Sequence, residues 1–156
     1  MIVSDFGLNF IRSWEKFRPK AYLDQSGIWT IGFGTIRHFN EKKVKKGDVI
    51  SLPIANIHLQ AECDGISYKL NGFLNVNLAQ NKFDALVSIA YNIGTQGLRS
   101  STLLREINMK RPIIENYFTR WNKVTADGKL VVSAGLTRRR KSEFQLFKDC
   151  NYDGNE

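Results

Sequence analysis

Two acidic residues near the start of the chain, Glu15 and Asp24, have the type and spacing for acid–base chemistry on a glycosidic bond. Glu15 follows a segment with helical periodicity, and Asp24 precedes Gln25-Ser26-Gly27, which is typical of a hairpin turn because glycine tolerates positive φ. A carboxyl at a helix end can therefore face a carboxyl on a hairpin across a cleft. Glycoside hydrolysis requires such a pair, since one protonated carboxyl donates a proton and one carboxylate activates water or attacks the sugar.

The neighbours of the two acids favour different roles for them. Trp14 and Phe17 give Glu15 apolar surroundings, which favour the protonated carboxyl of a proton donor. Asp24 lies among polar turn residues, where a carboxylate stays ionised, and Thr30 lies in a predicted strand six residues further on. By spacing alone, a surface helix acid and an Asx-turn residue explain the same pair at least as well.

The elements expected to position these residues begin with a helix and a hairpin. An N-terminal helix over residues 4–16 is predicted to bury one face, and a small β lobe is predicted at about residues 18–50. Its strands are expected at residues 21–23 and 28–31, which are rich in β-branched and aromatic side chains. The aromatic residues predicted to share the buried helix face are Phe6, Phe10, Trp14 and Phe17.

A larger helical lobe is predicted for residues 51–147. It begins with a long amphipathic helix, capped by Ser51, that joins the two lobes. Pro112 is predicted to open a later helix, and residues 135–147 are predicted to form the last one. The chain is predicted to end in a tail, residues 148–156, whose polar part after Cys150 is expected to fray. The predicted fold class is therefore α+β, in a single domain of residues 1–156.

Charge and cysteine content narrow the function classes. The 156 residues include 23 basic and 15 acidic side chains, which give a net charge of +8 and favour anionic partners without choosing among nucleic acid, membrane surface and cell-wall polymer. Cys63 and Cys150 are too few for a disulfide framework, and neither His38 nor His58 has ligand-spaced companions. No metal and no other cofactor is expected.

The N-terminal segment shows none of the features of a signal peptide. Asp5 and Asn9 interrupt its apolar residues, and no basic leader or small-residue cleavage site is present. No run approaches the roughly 18 apolar residues of a membrane span. We therefore expect synthesis in a cytoplasm and no stable insertion into a membrane.

Three sequence blocks carry a resemblance to a known family. Glu15, Asp24 and Thr30 form the word E-x8-D-x5-T, closed by T-I-G-F-G-T, and this word resembles the lysozymes (endolysins) of tailed bacteriophages, glycoside hydrolase family 24. The blocks F-D-A-L-V-S-I-A-Y-N-I-G-T and G-L-T-R-R-R-K-S-E extend the resemblance over about residues 6–147. It implies a lysozyme-like α+β fold with a small β-hairpin lobe and a larger helical lobe joined by a long helix.

The resemblance also implies an activity and roles for individual residues. The activity is inverting cleavage of the β-1,4 bond between N-acetylmuramic acid and N-acetylglucosamine in bacterial peptidoglycan. Glu15 would donate the proton, Asp24 would be the second carboxylate, and Thr30 would help to hold the attacking water. Arg139 would position the acid, although a cation beside a carboxyl favours its ionised form. The residues implied to face the saccharide are Tyr91, Asn92, Ser101 and Thr102.

Two other functions remain open. A lytic transglycosylase breaks the same bond without adding water, so it would need Glu15 but neither Asp24 nor Thr30. A non-catalytic basic module for polyanions would explain the charge but would leave the acid pair unused, and the sequence has no helix-turn-helix or zinc signature of a nucleic-acid binder.

We expect a monomer that acts on peptidoglycan and not on nucleic acid. By resemblance, it would reach the periplasm or cell wall from the host cytoplasm through a holin pore.

Overall fold

The computed structural model describes residues 1–24, 27–126 and 128–154. Within these ranges the chain forms seven helices and four strands, and the α+β class is confirmed. The elements in chain order are α1 (Asp5–Trp14), β1 (Arg18–Leu23), β2 (Trp29–Gly32), α2 (Leu52–Phe73), α3 (Gln80–Ile93), α4 (Thr95–Arg99), α5 (Thr102–Asn108), α6 (Asn116–Thr119), β3 (Lys123–Ala126), β4 (Lys129–Val132) and α7 (Ala134–Asp149).

Helix α1 begins at the predicted cap and ends two residues earlier than predicted. The Ser4 side chain accepts a hydrogen bond from the Gly7 amide, which satisfies one of the free donors at the helix start. At the other end, Glu15 is the C-cap and has extended backbone angles, φ −101° and ψ 118°. The candidate acid therefore lies directly after the helix, and its backbone no longer follows the helical path.

The predicted buried face of α1 is wrong at Phe6, whose side chain is 68% exposed and contacts the ring of Tyr152. The buried residues of α1 are Gly7, Leu8, Phe10 and Ile11. Gly7 determines which face of α1 is buried. A Cβ atom there would lie 2.6 Å from Cγ of Asp84 in α3, so only glycine allows this face of α1 to pack so closely on α3. The close approach of the two helices turns Phe6 outward.

Strands β1 and β2 form the predicted antiparallel hairpin, with Leu23 opposite Trp29 and Tyr22 opposite Thr30. The turn residues 25 and 26 lie outside the described residues, and Gly27 has the positive φ, +75°, expected of a turn glycine. Gly32 also has a positive φ, and a Cβ atom there would lie 3.2 Å from Ala55 Cβ. The hairpin thus approaches α2 closely at the end of β2.

Helix α3 is the centre of the helical body. Its residues 83–90 are all buried, as its nearly continuous apolar sequence indicates. It packs against α7, α1 and α2. Cys63 of α2 is fully buried as predicted, and burial raises the pKa of its thiol to about 12. None of the described helices combines the length and the hydropathy needed to cross a bilayer.

The helix predicted to start at Pro112 is wrong. Residues 112–115 are not helical, and α6 comprises Asn116–Thr119 only. The chain leaves α5 through Lys110, which has a left-handed φ of 54°, and the Arg111 amide then bonds to the Glu106 carbonyl. Proline has no N–H to continue this pattern, so the following segment is a loop.

The C-terminal tail makes tertiary contacts, contrary to the prediction that it frays. Helix α7 continues to Asp149, two residues beyond the predicted end. The Tyr152 hydroxyl then donates a hydrogen bond of 2.8 Å to Asp84. The Asp84 carboxylate also accepts from the Ser4 amide at 3.0 Å and from the Ser4 hydroxyl at 2.5 Å, so both ends of the chain meet at α3.

We expect Asp84→Ala to lower the free energy of unfolding by about 2–4 kcal/mol, because it leaves several buried or half-buried donors without their acceptor. Urea denaturation followed by circular dichroism measures the loss. Asp64→Ala, on the exposed face of α2, is the control and should change stability by no more than about 0.5 kcal/mol. Equal effects of the two substitutions would contradict the role given to Asp84.

Candidate active site

A cavity of about 570 Å³ lies between the first hairpin, the end of α1 and the helices α2 and α3. It brings together the three predicted catalytic residues and two of the four residues predicted to face the saccharide. Its lining consists of Glu15, Asp24, Thr30, Tyr91 and Asn92, together with Tyr22, Phe33, Gly34, Ile36 and Glu62. We call it the active-site cavity.

Glu15 enters this cavity from the end of α1. Its amide bonds to the carbonyls of Ile11 and Arg12, which fixes the backbone at the cap. Its side chain is 22% exposed, and Oε1 lies 2.5 Å from Nη1 of Arg139 in α7. The predicted neighbour of the acid is therefore in direct contact with it, and the ion pair orients the carboxyl.

A buried carboxylate holds Arg139 in turn. Glu143 Oε1 accepts from Arg139 Nε at 3.2 Å and from the Ser88 hydroxyl at 2.7 Å, while Oε2 lies 2.9 Å from Arg140 Nε. Burial lowers the pKa of Arg139, but the carboxylates of Glu143 and Glu15 outweigh this effect and the pKa is raised. Arg139 thus keeps its charge although its side chain is only 5% exposed.

The sequence reasoning missed Glu143. A signal was present, because Glu143 lies four residues after Arg139 and three after Arg140, the spacings at which side chains on a helix meet. The charge on each of these residues favoured an exposed position, whereas all three are buried.

The second carboxyl, Asp24, is held by the turn of the hairpin. Its Oδ1 accepts from the Ile28 amide at 2.8 Å, and the backbone of Asp24 bonds to both Ile28 and Gly27. Thr30 follows in β2 with a side chain that is 4% exposed, and its hydroxyl donates to the Ile28 carbonyl at 3.1 Å. The hairpin therefore presents a carboxylate and a hydroxyl to the cavity that Glu15 enters from the helical side.

Tyr91 and Asn92, at the end of α3, line the cavity and form hydrogen bonds with residues of other segments. The Tyr91 hydroxyl donates to the Phe33 carbonyl at 2.6 Å, which ties the segment after β2 to α3. Burial and the carboxylates of Glu62 and Glu15 raise the pKa of Tyr91, so the hydroxyl remains a donor. Asn92 Oδ1 accepts from Arg140 Nη2 at 3.1 Å.

The structure places Ser101 and Thr102 outside the active-site cavity. Neither lines the active-site cavity among the described residues. The Ser101 side chain is 5% exposed and caps α5 by accepting from the Leu104 amide at 3.1 Å. The Thr102 hydroxyl accepts from Arg120 Nη1 at 3.1 Å. A serine before an apolar helix is typical of a cap, and this is the structural role of Ser101 here.

Glu62 is a third carboxyl in the cavity wall, and the sequence reasoning missed it too. It lies on the exposed face of α2, so hydrophobic periodicity gives no signal for it. The concave wall nevertheless desolvates its carboxyl. This burial and the nearby charge of Glu15 raise the pKa of Glu62, while a hydrogen bond with Tyr91 opposes the shift. No group of three His, Cys, Asp or Glu side chains in the described part of the chain is placed to hold a metal ion.

The raised pKa of Glu62 predicts a pH-dependent stability. The folded protein binds this proton more tightly than the unfolded chain, so the free energy of unfolding falls as the pH rises from 4.5 through the higher folded-state pKa. We expect Glu62→Gln to raise Tm relative to the parent at about pH 7 and to raise it less at about pH 4. Thermal melts at both pH values measure the difference. Asp64→Asn on the same helix is the control, and a Glu62→Gln effect that does not depend on pH would contradict the assignment.

Comparisons with known proteins agree with this geometry. The family model described as "Phage lysozyme" matches residues 12–143. The chain is 34% identical to an endolysin of Acyrthosiphon pisum secondary endosymbiont phage 1, over 96% of this chain and 100% of that protein. It is 31% identical to an endolysin of Salmonella phage P22, over 94% of this chain and 98% of that protein.

A solved structure shares the fold. The endolysin from Escherichia coli O157:H7 phage FAHEc1 superposes with a TM-score of 0.91 at 38% identity, over 98% of this chain and 97% of that one. The match includes both the hairpin and the helical body, because it extends over nearly the whole length of each chain. The chain therefore belongs to the phage lysozyme family and is a glycosidase-type, peptidoglycan-hydrolysing endolysin.

Proposed function

We propose that this endolysin is a muramidase that hydrolyses the β-1,4 bond between N-acetylmuramic acid and N-acetylglucosamine, with Glu15 as the proton donor and Asp24 as the second carboxylate. One observation carries the proposal. A single cavity contains a carboxyl held at a helix end by a buried arginine and a carboxyl held by a hairpin turn. These are the two groups that glycoside hydrolysis requires.

In the proposed reaction, Glu15 donates a proton to the glycosidic oxygen as the bond from that oxygen to the anomeric carbon breaks. A water molecule attacks the anomeric carbon, and the Asp24 carboxylate accepts a proton from this water. The products are two shorter glycan chains, one with a new reducing end. Thr30 helps to hold the water, since its hydroxyl lies in the cavity wall on the same hairpin as Asp24. Water attack opposite the leaving group gives inversion, for which a carboxyl separation of about 6.5–9.5 Å is typical.

Arg139 has a positioning role in this scheme. Its Nη1 contacts Oε1 of Glu15, so the proton to be donated resides on Oε2. Because Glu143 and the packing of α7 hold the guanidinium, the orientation of the Glu15 carboxyl is set before substrate binds. Tyr91 and Asn92 then contribute the α3 side of the saccharide-binding surface.

A lytic transglycosylase is the second candidate. It would use Glu15 and form an anhydro ring without a water-activating carboxylate. The shared cavity of Glu15, Asp24 and Thr30 favours the hydrolase, because Asp24 and Thr30 would have no function in the other reaction.

We propose that the protein acts as a monomer with one lysozyme-like domain and reaches the cell wall from the host cytoplasm by holin-dependent release. It requires no cofactor in this scheme, because the cavity side chains supply the acid, the base and the water contact.

We expect Glu15→Gln and Asp24→Ala each to lower kcat on purified peptidoglycan by about 10²-fold or more, because each removes one acid–base group. A turbidity assay measures the rate, and mass spectrometry of the products separates new reducing ends from anhydro ends. Asp64→Asn is the matched control and should retain the parent rate. Full hydrolytic turnover by Asp24→Ala, or anhydro products from the parent, would exclude the proposed mechanism.

The net charge of +8 predicts adsorption to anionic walls. We expect turnover on intact walls to fall as salt rises from about 0.05 to 0.5 M, because screening weakens attraction between exposed charges. Turnover of a short soluble glycan of alternating N-acetylmuramic acid and N-acetylglucosamine should change much less over the same range. If wall turnover did not depend on ionic strength, charge would have no role in adsorption.

A further inference from the structure

A second cavity, of about 840 Å³, lies outside the active site. It forms where the segment after α2, residues 74–78, meets the segment after α5, residues 110–113, with Phe147 of α7 at its base. None of the described residues that line it also lines the active-site cavity. Lys82 in the first turn of α3 borders it, whereas Tyr91 in the last turn borders the active site, about 14 Å further along the helix. We call it the basic cavity.

The wall of the basic cavity is partly apolar, and the amide side chains of Asn75 and Asn77 are also among its lining residues. Ile107 and Phe147 are buried at its base. The side chains around them pack against the core but are only partly buried, so they leave apolar surface facing a concave space; they are Leu74, Val76, Leu78 and Ile113. Apolar surface in a concave site gains free energy when a ligand displaces water from it.

The rim of the basic cavity is cationic. It carries Lys82, Lys110, Arg111 and Lys148, and no acidic side chain is among the described residues of the lining. Arg111 forms an ion pair with Glu106, in which Nη1 lies 3.3 Å from Oε2. None of the three lysines lies within salt-bridge distance of a described acid. Lys82 Nζ lies 5.4 Å from the centre of the Phe147 ring, which places a cation directly beside the apolar base.

The ends of the chain do not fill this cavity, as far as the described residues extend. The tail after α7 turns towards α1 and α3, where the Tyr152 hydroxyl bonds to Asp84. The N-terminal ammonium bonds to Asn71 Oδ1 at 2.8 Å.

From the apolar side chains of the wall, the cationic rim and the cavity size, we propose that the basic cavity binds one anionic lipid-like molecule, with its phosphate or carboxylate at the lysines and its hydrocarbon chain on the apolar side chains. The volume is within the range of about 300–1,000 Å³ that is typical of small-molecule sites. A purely polar polyanion would contact the rim but would leave the wall exposed to water. This site would hold the enzyme at an anionic lipid surface while the active-site cavity, at the other end of α3, remains accessible.

Isothermal titration calorimetry with octyl phosphate, below its micelle concentration, tests both halves of the site. We expect octyl phosphate to bind at least about tenfold more tightly than inorganic phosphate, because the alkyl chain buries apolar surface, and also more tightly than octanol. In amide NMR spectra, the shifts should concentrate at Val76, Lys82 and Ile113 and not at Glu62. Equal affinity for octyl phosphate and inorganic phosphate, or shifts centred on the active site, would overturn the proposal.

Charge variants provide the matched control. We expect Lys110→Gln/Lys148→Gln to weaken octyl phosphate binding about fivefold or more, since it removes two rim charges from exposed positions. Lys42→Gln/Lys43→Gln removes the same charge from the exposed loop after the first hairpin and should leave the affinity within about twofold. If both variants weakened octyl phosphate binding equally, the binding would depend only on the net charge of the protein, and the proposal would be overturned. Thermal melts of each variant exclude unfolding as the cause.

A competition experiment identifies the source of the ligand. Vesicles of anionic phosphatidylglycerol should displace octyl phosphate, whereas vesicles of zwitterionic phosphatidylcholine should not. Soluble poly(glycerol phosphate), which has the phosphate but no hydrocarbon chain, should displace it only weakly. Displacement by the polymer but not by anionic vesicles would assign the cavity to a wall polymer and overturn the lipid proposal.

Discussion

The buried charge cluster around Glu143 is the interaction on which the active site depends. A fully buried carboxylate is costly unless it is paired and hydrogen-bonded, and Glu143 meets both conditions through Arg139, Arg140 and Ser88. The two arginines belong to α7 and the serine belongs to α3, so the cluster joins these helices. Loss of one partner of such a cluster typically costs about 3–5 kcal/mol because the remaining charge is left buried and unpaired.

The cluster also extends to the candidate acid. Arg139 contacts both Glu143 and Glu15, and Arg140 contacts both Glu143 and Asn92. Two residues of the active-site cavity are thus positioned by buried charges. Fixed charges and packing of this kind orient a reacting group without a rearrangement on substrate binding.

The opposite wall of the active site has a different origin. Asp24 and Thr30 owe their positions to local hydrogen bonds within the hairpin, chiefly to Ile28. The hairpin itself is tied to the helical body by the Tyr91 hydroxyl on the Phe33 carbonyl and by the close approach of Gly32 to Ala55. One carboxyl therefore depends on long-range packing and the other on a turn. Movement of the hairpin relative to the helices would change their separation, while the local geometry of each would persist.

Much of this architecture could be predicted from the sequence, because it depends on local rules. The Ser4 cap, the hairpin with Gly27 at its turn, the long helix after Ser51 and the buried α3 follow from capping preferences, turn chemistry and periodicity. Helical periodicity placed Glu15 at a helix end, and the turn residues that follow Asp24 placed it at a turn; the structure has both there. The failure at Phe6 has a tertiary cause, since Gly7 against Asp84 sets the face of α1. The failure at Pro112 has a local cause, since the left-handed turn at Lys110 sets the end of α5.

Only the tertiary structure decided what surrounds the acids. Arg139 and Glu15 are 124 residues apart in sequence, and their contact exists because α7 packs on α3 beside the end of α1. The same packing buries Glu143, and the packing of α2 on α3 brings Glu62 into the cavity wall. Periodicity reports which face of a helix is buried, but not which residue of another helix it meets. The sequence therefore determined the types and local positions of the acids, and long-range packing determined the charges that act on them.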